Sequence, residues 1–130
     1  MAQAFGYTAD LALDRDLAQL LRLRVAQLNP CAYCLILHTQ KSREAGIDDA
    51  RISNLGAWWQ SELYTDAEQA AFRYTEALNA GVDRAFQAKH DALREHFTER
   101  EVAEIAAVVI NMNVWTRLKL AQGATPRVTS

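Results

Sequence analysis

The chain carries only two prolines, Pro30 and Pro126, in 130 residues. Proline removes a backbone donor and stops a helix, so their scarcity leaves long stretches free to be helical. Strict alternation of apolar and polar residues is scarce as well, which argues against half-buried strands. Basic clusters are missing: 14 Lys and Arg stand against 16 Asp and Glu, for a formal net charge of −2. Nucleic-acid binding rests on a basic face that displaces counterions, so no nucleic-acid partner is expected. No apolar run approaches the ~20 residues that cross a bilayer. The run over residues 105–110 is sized for a protein core, and no membrane partner is expected. Residues 1–5 have neither the basic n-region nor the apolar h-region of a secretory leader. These absences set a cytoplasmic expectation.

Cysteine is almost absent too. The two that occur, Cys31 and Cys34, stand three positions apart. The cytoplasm keeps thiols reduced, so a close pair there points to catalysis or metal binding rather than to a structural staple. Half the residues are apolar, and 130 residues suffice for one domain with a core that needs no disulfide.

What is present is helical periodicity. Leu13, Leu17, Leu20, Leu21 and Leu28 fall near one face of a helix over 14–28, ended by Asn29-Pro30. A second helix starts near Cys31 and runs to 45, with Gly46 just past its end. Asp48 is a natural N-cap for a third helix reaching residue 59. Thr65-Asp66-Ala67-Glu68 and Thr98-Glu99-Arg100-Glu101 both have the S/T-x-x-E form of a capping box. They predict helices over 65–79, closed by Gly81, and over 99–122, closed by Gly123. A shorter helix over 84–96 lies between them. The last helix carries Val102, Ile105, Ala106, Val109, Met112 and Leu120 as an apolar stripe. Residues 1–12 read as an irregular arm and 124–130 as a loose tail. The fold class is all-α: one helical bundle of five or six helices.

The chemistry gathers at Cys31-Ala32-Tyr33-Cys34-Leu35-Ile36-Leu37-His38. Two thiols at this spacing on a helix start can reach each other to form a disulfide. The unbonded N–H groups and positive dipole end there lower a thiol's pKa from ~8.5 towards the useful range. His38, four residues after Cys34, shares its helix face and could take the thiol's proton or give one to a leaving oxygen. Three readings of the residues stand side by side: a redox dithiol, a zinc site completed by His90 or His96, or two buried cysteines with no joint role. A covalent haem site would need histidine directly after Cys34, where Leu35 stands.

The run from Arg24 to Thr39, RVAQLNPCAYCLILHT, resembles the core of the AhpD-like proteins of the carboxymuconolactone decarboxylase superfamily. Gly56-Ala57-Trp58-Trp59 with residues 64–71, and residues 97–101 with 110–118, are similar to later stretches of the same family. The resemblance implies an AhpD-like helical bundle with the CxxC at the start of its second helix, assembled as a homo-trimer or homo-hexamer. It implies alkylhydroperoxidase or disulfide-reductase chemistry at the CxxC, in the first case reduction of hydroperoxides by a dithiol that cycles to a disulfide. In that scheme Cys34 is the peroxidatic thiol, Cys31 resolves it and His38 belongs to a proton relay. No cofactor is implied, only an external thiol or dithiol reductant, which could be a thiol protein. The superfamily's decarboxylases lack the cysteine pair, so its presence argues against decarboxylation. One departure matters. The family's usual glutamate, twelve positions before the first cysteine, is here Gln19, an amide that cannot accept a proton at neutral pH. Asp16, one turn earlier, is a candidate substitute, and Tyr33 stands where some members place a histidine. Both changes weaken the relay and keep open a disulfide reductase or redox sensor with weak peroxidase activity. A non-enzymatic helical assembly protein is the reading from a different class.

Trp58, Trp59 and Trp115 read as core or interface aromatics. Asn111 and Asn113, poor helix formers inside a helix, read as members of a hydrogen-bonded network.

Overall fold

Asp14 opens the first helix, α1 (Arg15–Leu28), by accepting the Leu17 N–H on its carboxylate at 3.0 Å. A computed structural model describes residues 10–125, so most of the expected arm and tail, residues 1–9 and 126–130, lies outside the described residues. Six helices follow one another, and no strand occurs among the described residues.

The sequence predicts one buried face for α1. Instead every residue from 17 to 26 is buried. A helix buried all round sits in the middle of a fold, and α1 packs against the second, fourth and sixth helices. Its buried Gln19, Arg22 and Arg24 must therefore find partners inside the protein. Arg24 does so through Glu76, with Nη2 at 2.7 Å and Nε at 3.0 Å from Oε1.

Cys31 caps α2 (Ala32–Glu44), which Gly46 terminates at φ +84°, the left-handed conformation glycine adopts freely. Asp48 caps α3, but α3 covers only Asp49–Asn54. The single helix expected to residue 59 breaks into a 3-10 segment, Leu55–Gln60, with Ala57 at φ −133°, ψ 38°. The kink turns Trp58 inward. Its ring lies 5.5 Å from that of Phe72 and its Nε1–H donates to Glu76 Oε1 at 2.8 Å. Burying a bonded tryptophan outweighs a turn of regular helix around Gly56. Trp59 is left on the surface.

Both capping boxes form as expected. They open α4 (Asp66–Ala80) and α6 (Glu99–Ala121), with Thr65 and Glu68, and Thr98 and Glu101, bonded reciprocally. Between them α5 is shorter than expected, Phe86–Arg94, because Asp83 accepts the Ala85 N–H and holds a turn before it. Along α6, Val102, Ile105, Val109 and Met112 are buried as expected, whereas Leu120 is exposed. The core centres on Leu20, Leu21, Leu55, Phe72 and Ile105. Buried Glu104 on α6 accepts the N–H groups of Ala12 and Leu13 at 3.1 and 3.0 Å, tying the segment before α1 to the last helix.

Candidate dithiol site

Cys31 and Cys34 are both free thiols, and both are buried, at 2% and 4% exposure. As the N-cap, Cys31 turns its Sγ to accept the Cys34 N–H at 3.3 Å. The helix start thus serves the Cys31 sulfur. At Cys34 the expected lowering is reversed: burial, then the hydrogen bond and charge of Cys31, push its thiol up to about 12, and Lys119 of α6 pulls the other way.

His38 is not a surface histidine. It is buried, and Gln19 of α1 reaches it. The amide orientation follows from chemistry: Arg22, which can only donate, bonds Gln19 Oε1 at 3.1 Å. The amide nitrogen therefore faces His38 Nδ1 at 3.2 Å, its backbone carbonyl at 3.2 Å and Ser42 Oγ at 3.4 Å. Since Gln19 donates, Nδ1 must accept and the ring proton sits on Nε2. Ser42 Oγ–H in turn donates to the His38 carbonyl at 2.6 Å. Burial, reinforced by the Arg22 charge, lowers His38 to about 4. The imidazole is thus neutral at physiological pH and offers an N–H. That suits hydrogen-bond donation to a thiolate or leaving oxygen better than removal of a thiol proton.

This burial has a consequence for acid stability. The unfolded chain takes up a proton at His38 near pH 6.5, the folded chain only near 4. Between those values the unfolded state holds more protons, so stability falls as pH drops from about 6.5 to 4, by about 3 kcal/mol from this residue. Urea unfolding at pH 7 and pH 4 measures it: a His38→Gln variant should lose correspondingly less stability over that interval than the parent.

The other expected residues divide. Tyr33 is half-buried and packs against the cluster of Ala26, Cys31 and Cys34, with the Lys119 Nζ 4.7 Å from its ring centre. Asp16 is half-buried in the first turn of α1 and makes no hydrogen bond to Gln19 or His38, so it does not replace the missing glutamate in this arrangement. The zinc reading is not supported: among the described residues no group of three or more His, Cys, Asp or Glu could hold a metal ion. His90 bonds its neighbour Asp91, and His96 is exposed.

Four contributors were not singled out from sequence. Arg22 and Ser42 follow Gln19 and His38 by three and four positions, so helical spacing carried their signal. Lys119 had no local signal. Asn29 was read only as part of the break. Its Nδ2 is within 2.7 Å of Asn79 Oδ1, 3.0 Å of Asn113 Oδ1 and 3.3 Å of the Val25 carbonyl. The network expected around Asn113 is therefore real and stands next to the dithiol turn.

This all-helical architecture matches proteins already described. The signature of the Carboxymuconolactone decarboxylase family fits residues 1–77. The uncharacterised protein YdfG of Bacillus subtilis (strain 168) is 30% identical over 118 residues, covering 90% of this chain and 80% of YdfG. The crystal structure of ATU0492 from Agrobacterium tumefaciens, a protein of unknown function assigned to AhpD antioxidant defence, superposes with a TM-score of 0.83 at 25% identity, over 90% of this chain and 82% of that one. The debrominase Bmp8 shares the fold at 18% identity and a TM-score of 0.80, over 89% of this chain and 62% of its own. The chain belongs to the carboxymuconolactone decarboxylase family and is an AhpD-like member of it. No helix among the described residues is long and apolar enough to cross a membrane.

Proposed function

We propose that the protein is a thiol-dependent oxidoreductase of the cytoplasm that reduces hydroperoxides. The observation that supports it is the Cys31–Cys34 pair at the α2 start, both thiols free and sulfur and amide hydrogen-bonded, with His38 one turn on. The Cys34 thiolate attacks the peroxide's outer oxygen. The O–O bond breaks, Cys34 becomes a sulfenic acid, and the alkoxide takes a proton and leaves as an alcohol. The Cys31 thiol then attacks the Cys34 sulfur, releasing water and leaving a disulfide. An external dithiol, free or on a partner protein, returns the pair to thiols by exchange. The His38 Nε2–H supplies a hydrogen bond to the departing oxygen.

The test is hydroperoxide consumption with a dithiol reductant. The parent protein should turn over, and Cys34→Ser should fall to background. Equal inertness of both would remove the peroxidase reading. Gln19 favours a second reading, a disulfide reductase or sensor in which exchange with disulfides outpaces peroxide reduction. Small-molecule disulfide reduction by a peroxide-inert protein would establish it.

Self-association is part of the proposal. Ile110, Val114, Trp115 and Leu118 stand exposed along one side of α6. Such a continuous apolar stripe is a surface that a second copy buries, in keeping with a homo-trimer or homo-hexamer.

A further inference from the structure

Lys119 lies in the last turns of α6, far along the chain from the dithiol, yet its ammonium sits over the ring of the residue between the two cysteines. Tyr33 also packs against the cluster of Ala26, Cys31 and Cys34. One side chain, Tyr33, thus touches both the ammonium of α6 and the cysteine cluster. Among the described residues, few charged and titratable groups surround Cys34. Cys31 faces it across the helix start, His38 follows on its own helix, and Arg22 of α1 stands behind His38. Cys31 opposes ionisation of Cys34, and His38 is neutral. The cation whose field favours the Cys34 thiolate is Lys119. A buried thiolate without such a charge is strongly disfavoured.

We propose that Lys119 is a positioning residue of the dithiol, holding the Tyr33 ring against the cysteine cluster and supplying the positive charge that stabilises the Cys34 thiolate. This rests on the dithiol reading above but not on the peroxide being its substrate. The cation comes from α6, so reactivity at the second helix depends on the far end of the chain.

The experiment is alkylation of the reduced protein with iodoacetamide, a neutral reagent that Lys119 cannot attract, at several pH values from 7 to 10. Fragment-ion mapping separates Cys34 from Cys31. At any fixed pH in this range the Cys34 rate follows its thiolate fraction. Lys119→Met should slow Cys34 about 3- to 10-fold, equal to a rise of about 0.5–1 pH unit. Lys119→Arg should restore the rate, and Lys89→Met, which removes an exposed charge on α5, should leave it unchanged. Melting curves establish that each variant is folded. An unchanged Cys34 rate in folded Lys119→Met overturns the proposal. A slowed rate that arginine fails to restore overturns the charge role equally. Alkylation needs no turnover, so a peroxide-inert protein that still shows the Lys119 dependence would sink the peroxidase reading and leave this inference standing.

Discussion

Gln19→Glu should raise hydroperoxide turnover about tenfold or more, within the range general acid–base groups contribute. The reason lies in the direction of one hydrogen bond. In the present arrangement the Gln19 amide donates to His38 Nδ1, which fixes the ring proton on Nε2 and leaves no lone pair facing outward. A carboxylate in the same place can only accept. It would draw the proton to Nδ1 and free Nε2 as a base for the thiol. It would also raise His38 from about 4 back towards its ordinary value, by offsetting the Arg22 charge at close range. Two measurements go together: hydroperoxide consumption, and an NMR titration of the His38 ring. If the ring titrates higher and the rate stays flat, His38 is not the base that limits Cys34 ionisation.

Glu76→Ala should cost about 3 kcal/mol of stability and lower the melting temperature by about 10 °C. One carboxylate oxygen collects Arg24 from α1 and the Trp58 indole from the 3-10 segment. Among the described residues, its removal leaves a guanidinium of low exposure with only Gln27 as partner and an indole N–H with none. Glu76→Gln, which keeps an oxygen for the indole but loses the charge, should cost less. Thermal melts of the three proteins check the order. Equal melting temperatures for parent and Glu76→Ala would show that water replaces the carboxylate at no cost.

The parts of the fold legible in the sequence were those written in neighbouring residues. Asp14, Asp48, Thr65 and Thr98 each open a helix because their side chains reach a backbone N–H two or three residues on. Gly46, Gly81 and Gly123 close helices at positive φ. The site was legible to the same extent: Cys31 and Cys34 at a helix start, with His38 a turn later. The rest was decided by distant partners. The 55–60 kink exists because Trp58 finds Phe72 and Glu76, neither of which the local periodicity contains. Burial of α1 on every side came from helices on both sides of it in space. The Cys34 thiol reversed its expected direction because burial outweighed the helix start. Gln19 was picked out by resemblance, but only Arg22 beside it reveals which way its amide points.

The Asn29 amide contacts give the dithiol turn a different standing from a short motif. The residue two before Cys31 is held by Asn79 and Asn113, from helices in the second half of the chain. The angle at which Cys31 enters α2 is therefore set by residues translated long after it. Lifted into another helix or made as a peptide, residues 31–38 would keep their spacing and lose the fixed entry of Cys31, the amide on His38 and the ammonium over Tyr33. The reactive unit is the folded chain, of which the eight residues are only the exposed name.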